Sequence, residues 1–188
     1  MTRISPTSPD VYVPVFGEDA SHAERVFAHS PDIARAYLAF GAAARAHGVL
    51  PFRLVELVRI RVAFHNQCRL CMSLRYEDAD GRSVDESLVC SLAQPEEASD
   101  LSPAEVLALE FADRMASDHL SVDDALFVRL HEHFDDSELM ELCLRVAANV
   151  GFGRMAAVLD VVPHDELPPT LRGEGQLAPW AAEPFVQS

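Results

Sequence analysis

The 188-residue chain predicts an all-α fold: a compact multi-helix bundle with extended N- and C-terminal arms. Three observations point there. Hydrophobic residues make up 49% of the chain and aromatics only 7%, so Ala, Leu and Val must build the core, a composition suited to packed helices. Helix-start signals recur along the middle of the sequence, some with proline at the first helical position. No stretch alternates with the period of two that a half-exposed strand requires. The length supports one well-cored domain, assigned to residues 30–162, with an arm at 1–29 and a Pro-rich tail at 163–188.

Residues 1–29 carry Pro6, Pro9 and Pro14 with little periodicity, and read as an extended arm with a helix onset near Ser21. Ser30-Pro31 opens a helix running to about Gly48, with Ile33, Ala36, Tyr37, Phe40 and Ala44 on one side. Pro51 opens the next, carrying Leu54, Val55, Leu57, Val58, Val62 and Ala63, until His65-Asn66-Gln67 interrupts the apolar run before Cys68. Ser83-Val84-Asp85-Glu86 and Ser102-Pro103-Ala104-Glu105 have the form of capping boxes and predict helices over 84–93 and 103–118. Ser121 with Asp124 is expected to cap a short helix bearing Leu126, Phe127 and Leu130. Asp135 or Asp136 caps the last long helix, through Leu139, Leu142, Leu144, Val146, Ala147, Val150 and Val158. Beyond Pro163, the Pro168-Pro169 pair, Gly173, Gly175, Pro179 and Pro184 oppose regular structure, while Trp180 and Phe185 are apolar anchors in a tail expected to dock.

Charge narrows the function classes. A formal net charge of −15 repels phosphate backbones and anionic lipid surfaces, so neither nucleic acid nor membrane is an expected partner. No segment reaches the roughly 18 unbroken apolar residues of a membrane span. The opening MTRISPTSPDVYVPVF lacks the pattern of a secretory signal, and a soluble cytoplasmic protein is expected. Four cysteines do not make a disulfide scaffold at this length; in a reducing compartment a CxxC pair points to catalysis or metal binding.

The chemistry concentrates in Glu56–Arg75, ELVRIRVAFHNQCRLCMSLR. Spacing i, i+3 on a helix puts Cys68 and Cys71 on one face, within reach of a disulfide. With Gln67 ending one helix and Cys68 starting the next, both thiols sit in a first turn whose free amides and dipole favour thiolate. Arg59, Arg61, Arg69 and Arg75 would lower the thiol pKa further wherever they face the pocket. Glu56, among Val55, Leu57 and Val58, either points to solvent or sits in a polar pocket as a general base. Zinc, the rival for a CxxC, normally needs four ligands. Cys90 and Cys143 read as isolated core residues, and His131 and His133 point to different sides of a helix, so no metal and no cofactor is assigned.

Glu56 followed twelve residues later by a CxxC resembles the core of the carboxymuconolactone decarboxylase superfamily, in its alkylhydroperoxidase D-like branch. AEVLALEFADRM and DSELMELCLRVAANVGFGRMAAVL resemble that family's closing helices, so the similarity spans residues 35–160. The resemblance implies a thiol-dependent peroxidase or disulfide oxidoreductase: one cysteine becomes a sulfenic acid, the other resolves it, and a dithiol electron donor protein regenerates the pair. It also implies a helical protomer in homo-oligomers, commonly trimers or hexamers, with Glu56 heading a proton relay. Dipole logic favours Cys68 as the attacking thiol and the resemblance favours Cys71.

Two positions depart from the family pattern. Leu70 and Arg75 stand where the peroxidase branch has histidines. Arg75 cannot shuttle protons at neutral pH, but it could stabilise a thiolate or an anionic substrate, or pair with Glu56. His65, three residues before Cys68, is the nearest replacement. The alternatives are a carboxymuconolactone decarboxylase-like enzyme, which needs no cysteine pair, and a non-catalytic oligomeric protein with a redox-sensing CxxC.

Overall fold

Helix α4 (Phe52–Asn66) runs through the middle of the molecule, burying Leu54, Glu56, Leu57, Val58, Ile60, Val62, Ala63 and Asn66. Such a spread of covered positions goes around the helix and requires neighbours on more than one side. Two long helices supply them, α7 (Pro103–Ser117) and α9 (Asp136–Leu159). The computed structural model describes residues 2–162 and the backbone of residues 185–187.

Charged side chains set the direction of packing. Arg53 near the start of α4 holds Glu105 near the start of α7, and Arg61 further along holds Asp113. Both pairs are separated by 52 residues in sequence, so the two helices advance together and lie parallel. Glu141, early in α9, accepts the N–H groups of Val49 and Leu50, while the Asn66 amide donates to the Asn149 carbonyl. Helix α9 therefore runs the same way. Leu57, Ile60, Leu109, Leu126 and Leu142 fill the space between these helices.

Helix α3 (Pro31–His47) has the expected limits and lies antiparallel on α9. Tyr37 stacks on Phe152 with ring centres 3.9 Å apart, and Arg145 donates to the Ala44 carbonyl. In the N-terminal segment, the onset at Ser21 is found, with a closed capping box leading into α2 (His22–Phe27). An earlier helix, α1 (Pro9–Phe16), replaces expected extended chain. Pro9 pre-sets its first turn, and its Tyr12 is buried with Ala20 and Ala28 beneath the Arg25 guanidinium. Those tertiary contacts override the weak local periodicity.

Two cap assignments shift for identifiable reasons. Helix α6 spans Glu86–Ser91, not 84–93, because the Glu86 carboxylate is taken by Arg75 and does not close a box with Ser83. Consequently Cys90, expected in the core, is exposed, while Leu88 and Val89 are buried. Helix α8 (Asp124–Leu130) is capped by Asp123, whose carboxylate accepts the Leu126 N–H. Ser121 instead turns its hydroxyl onto the Asp118 carbonyl in a 3₁₀ turn. The boxes at Ser102–Glu105 and Asp135–Glu138 both form.

One short parallel pair departs from the helical plan. Strand β1 (Leu74–Tyr76) follows α5 (Arg69–Ser73) and pairs with β2 (Phe185–Gln187) in the register Leu74↔Phe185, Arg75↔Val186, Tyr76↔Gln187. The tail thus returns to its own chain through the backbone around Phe185; Trp180 lies outside the described residues. Glu77, Asp78 and Asp80 lie in the loop after β1, where Asp78 accepts the Asp80 and Arg82 N–H groups.

Candidate active site

Helix α4 ends where Gln67 adopts a left-handed conformation at φ +50°. Its side-chain amide donates to the Phe64 carbonyl at 2.8 Å, satisfying one of the orphan groups of the last turn. The reversal brings Cys68 in as the N-cap of α5, with its sulfur accepting the Cys71 N–H at 3.3 Å. The two sulfurs are joined in a disulfide, with α-carbons 5.2 Å apart, inside the usual range. Cys68 is 1% exposed and Cys71 is half-buried. Because α5 has only five residues, the dipole expected to activate the thiols is short. Nearby fixed charges therefore matter more.

Glu56 is one of them, and it is buried at 2% exposure. Its two oxygens receive Arg59 Nε at 2.7 Å and Nη2 at 2.6 Å, and Oε1 also accepts the Tyr76 N–H at 3.1 Å. Burial alone would pull the Arg59 pKa down, but the adjacent Glu56 carboxylate more than reverses this, so the guanidinium stays charged. Arg59 then reaches across to α5, donating from Nη1 to the Cys71 carbonyl at 2.8 Å and from Nη2 to the Leu74 carbonyl at 2.6 Å. Its guanidinium also lies 5.0 Å over the Tyr76 ring. The carboxylate takes the N–H of Tyr76 and the guanidinium serves the C=O of Leu74, two residues apart on one edge of β1. The ion pair occupies the place of a neighbouring strand.

Arg75 and His65 are placed differently from these. Arg75, 1% exposed, pairs with Glu86 through Nε at 2.8 Å and Nη2 at 3.1 Å, and donates to the Met72 and Leu74 carbonyls. An ion pair between Arg75 and Glu56 is not formed, because Arg59, one helical turn from Glu56, takes that carboxylate first. His65 Nε2 lies 2.7 Å from Asp113 Oδ1, and Arg61 binds both oxygens of the same carboxylate. Burial pushes the Asp113 pKa up, but the His65 and Arg61 hydrogen bonds outweigh it and hold the carboxyl below its ordinary range. The imidazole is thus turned to α7.

The sequence offered Arg59 only as one of four nearby cations, and Asp113 and Glu86 were not anticipated as partners. The signal for Arg59 was present, since Glu and Arg three apart in a largely apolar helix can pair without leaving it. Asp113 and Glu86 are distant in sequence from their partners, and no local pattern announces them. Beside the cysteines is a cavity of about 40 Å³, lined by Cys68, Arg69 and Leu70 and by Ala156, Asp160 and Val161 from the end of α9. That is room for about one water. Cys71 is the more exposed of the two cysteines.

A model of the "Carboxymuconolactone decarboxylase family" matches residues 31–114, which include α4 and the cysteine pair. That match covers 84 of the 188 residues. The chain is 32% identical over 95 residues to the uncharacterized protein YdfG of Bacillus subtilis (strain 168), an alignment covering 47% of this chain and 61% of that protein. The alignment thus spans less than two thirds of that relative.

Solved structures agree on the fold. An uncharacterized peroxidase-related protein from Ralstonia eutropha JMP134, described as an alkylhydroperoxidase AhpD core, superposes with a TM-score of 0.62 at 21% identity, over 85% of this chain and 88% of that one. A putative antioxidant defence protein AhpD from Agrobacterium tumefaciens gives 0.60 at 19% identity, over 70% and 90%. An uncharacterized peroxidase-related protein from Silicibacter sp. TM1040 gives 0.60 at 15% identity, over 79% and 78%. The chain therefore has an alkylhydroperoxidase D-like helical fold.

Proposed function

We propose that the chain is a thiol-dependent peroxidase, reducing hydroperoxides through Cys71 and Cys68 at the expense of a dithiol donor protein in a reducing cytoplasm. The observation that carries this reading is the bonded pair itself, with one sulfur enclosed and the other accessible, one ion pair away from a buried carboxylate. In the reduced enzyme the Cys71 thiolate attacks the distal peroxide oxygen. The O–O bond breaks, the alkoxide takes a proton to leave as alcohol, and Cys71 becomes a sulfenic acid. Cys68 then attacks the Cys71 sulfur, the disulfide forms, and the sulfenic oxygen leaves as water. The donor dithiol reduces the pair and is oxidised in its place. Glu56 handles the proton, while His65 and Arg75 hold the helix ends around the pair.

Stopped-flow oxidation by a hydroperoxide with thiol counting tests the reading. The reduced wild type should lose two thiols per chain, and Cys71→Ser should lose peroxide reactivity. Peroxide consumption by Cys68→Ser and Cys71→Ser as fast as by wild type would sink it, and turnover of a γ-carboxymuconolactone by those variants would point to a decarboxylase.

We further propose that the chain assembles as a homo-oligomer through α9, with a trimer or hexamer expected. Helix α9 is long and apolar enough to cross a membrane by length and composition, yet only 17% of its apolar stretch is buried. Met140, Leu144, Ala147, Gly151 and Val158 are exposed along it at alternating three- and four-residue steps, with Arg154 filling the gap. A methyl group on Gly151 would touch nothing within its own chain, so the glycine leaves space for a partner helix. Light scattering should show an oligomer that Leu144→Glu dissociates; a wild-type monomer, or binding to lipid vesicles instead, would refute this assembly.

A further inference from the structure

We propose that Arg59 is the positioning residue of the redox pair: it fixes the Cys71 peptide against Glu56 and presents the cationic end of that ion pair to the Cys71 thiolate. The inference rests on the dithiol–disulfide reading above. Its basis is the way the Cys71 peptide is held at both ends. The N–H points at the Cys68 sulfur, 3.3 Å away, and the C=O accepts from Arg59 Nη1 at 2.8 Å. When the disulfide opens, the sulfur–sulfur tether is lost and the contact to the carbonyl remains. Arg59 then keeps the attacking residue in register with the carboxylate.

Capping alone does not account for this arrangement. The Met72 and Leu74 carbonyls at the end of α5 already have a donor in Arg75, whereas Arg59 adds the contact to Cys71 itself. Arg61 turns away to Asp113 and the Leu92 carbonyl. Orientation of the pair also matters. The Glu56 carboxylate faces the Tyr76 N–H and the guanidinium faces α5, so the α5 end of the pair is the positive one. A largely enclosed cation bound to the carbonyl of a cysteine lies on the same residue as its sulfur and favours the thiolate, and a rigid planar fork is needed to reach Glu56, Cys71 and Leu74 together.

The test compares full-length wild type with Arg59→Lys and Arg59→Gln. Each protein is reduced and alkylated across pH, and Cys71 is followed by mass spectrometry in the tryptic peptide Leu70–Arg75. Arg59→Gln should slow Cys71 alkylation at pH 7 about tenfold and move the midpoint upward by about one unit. Arg59→Lys, which keeps charge but loses the fork, should fall between. Midpoints identical to wild type in both variants, whatever their thermal stability, would overturn the proposal. If neither variant folds, the wild type labelled with ¹⁵N-arginine decides. The Arg59 Nε–H resonance should shift on reduction while that of Arg53, held by Glu105, stays in place; an unchanged Arg59 signal rejects the assignment. Neither measurement uses peroxide. A wild type that titrates as expected but consumes no peroxide refutes the peroxidase reading alone.

Discussion

Arg75 is enclosed by the protein and its partner Glu86 lies at the surface, 2.8 Å away, so a buried cation is neutralised from outside. The carboxylate is 43% exposed, which weakens the attraction relative to a dry pair. Its removal would still leave Arg75 without a counter-charge. Glu86→Ala should cost about 1–2 kcal/mol in urea unfolding while peroxide turnover stays within about twofold. A collapse of turnover at unchanged stability would place Arg75 in the reaction instead.

Glu56→Gln keeps an acceptor for the Tyr76 N–H but removes the charge opposite Arg59. On the proposed mechanism, loss of this carboxylate should slow peroxide-driven disulfide formation by roughly tenfold to a hundredfold or more. Thiol counting at long times should still reach two thiols lost, because both cysteines and their spacing are unchanged. An unchanged rate would remove Glu56 from the mechanism.

Two glycines of α9 should respond in opposite directions. A methyl group at Gly153 would overlap the Asn66 amide, which is committed to the Asn149 carbonyl and to Arg154. Gly153→Ala is expected to destabilise by about 1–3 kcal/mol. Gly151 has open space within its chain, so Gly151→Ala should gain up to about 1 kcal/mol of helix propensity in a dissociated protomer. The same change should weaken assembly. Thermal melts at low and high protein concentration separate the two effects.

Asp113 should make the fold acid-sensitive. Its folded pKa is depressed, so on acidification the unfolded chain takes up the proton first. The stability from the His65 and Arg61 contacts is fully present above the ordinary aspartate value of about 3.9 and is lost as pH falls through the lower folded value. Between pH 6 and 3 the melting temperature of wild type should fall more steeply than that of Asp113→Asn, which starts lower. Parallel curves would refute the assignment.

Local chemistry made the helical fold legible. The box at Ser102, the cap at Asp135, the Ser30-Pro31 start and the break before Cys68 each follow from a few adjacent residues, and each appears where expected. Failures occur where a distant partner intervenes. Glu86 is claimed by Arg75 and α6 starts late; Tyr12 finds a buried site and α1 forms despite its prolines. In the site, the cysteine spacing was sufficient to anticipate their bond. Burial of Glu56 was left open because an amphipathic helix gives no sign of which polar residue is paired inside. Arg59 decides it, by reaching the backbone of a segment that returns only after the turn at Gln67.

Strand β1 is three residues long and follows the Cys68–Cys71 disulfide, and an open edge there would invite intermolecular pairing. On one edge its Tyr76 N–H and Leu74 C=O are occupied by the Glu56–Arg59 pair, and β2 pairs along it as well. Salt-bridging side chains here do the work usually left to an edge lysine or a bulge. The contacts that organise the cysteines therefore also protect the protein from aggregating through the segment that carries its chemistry.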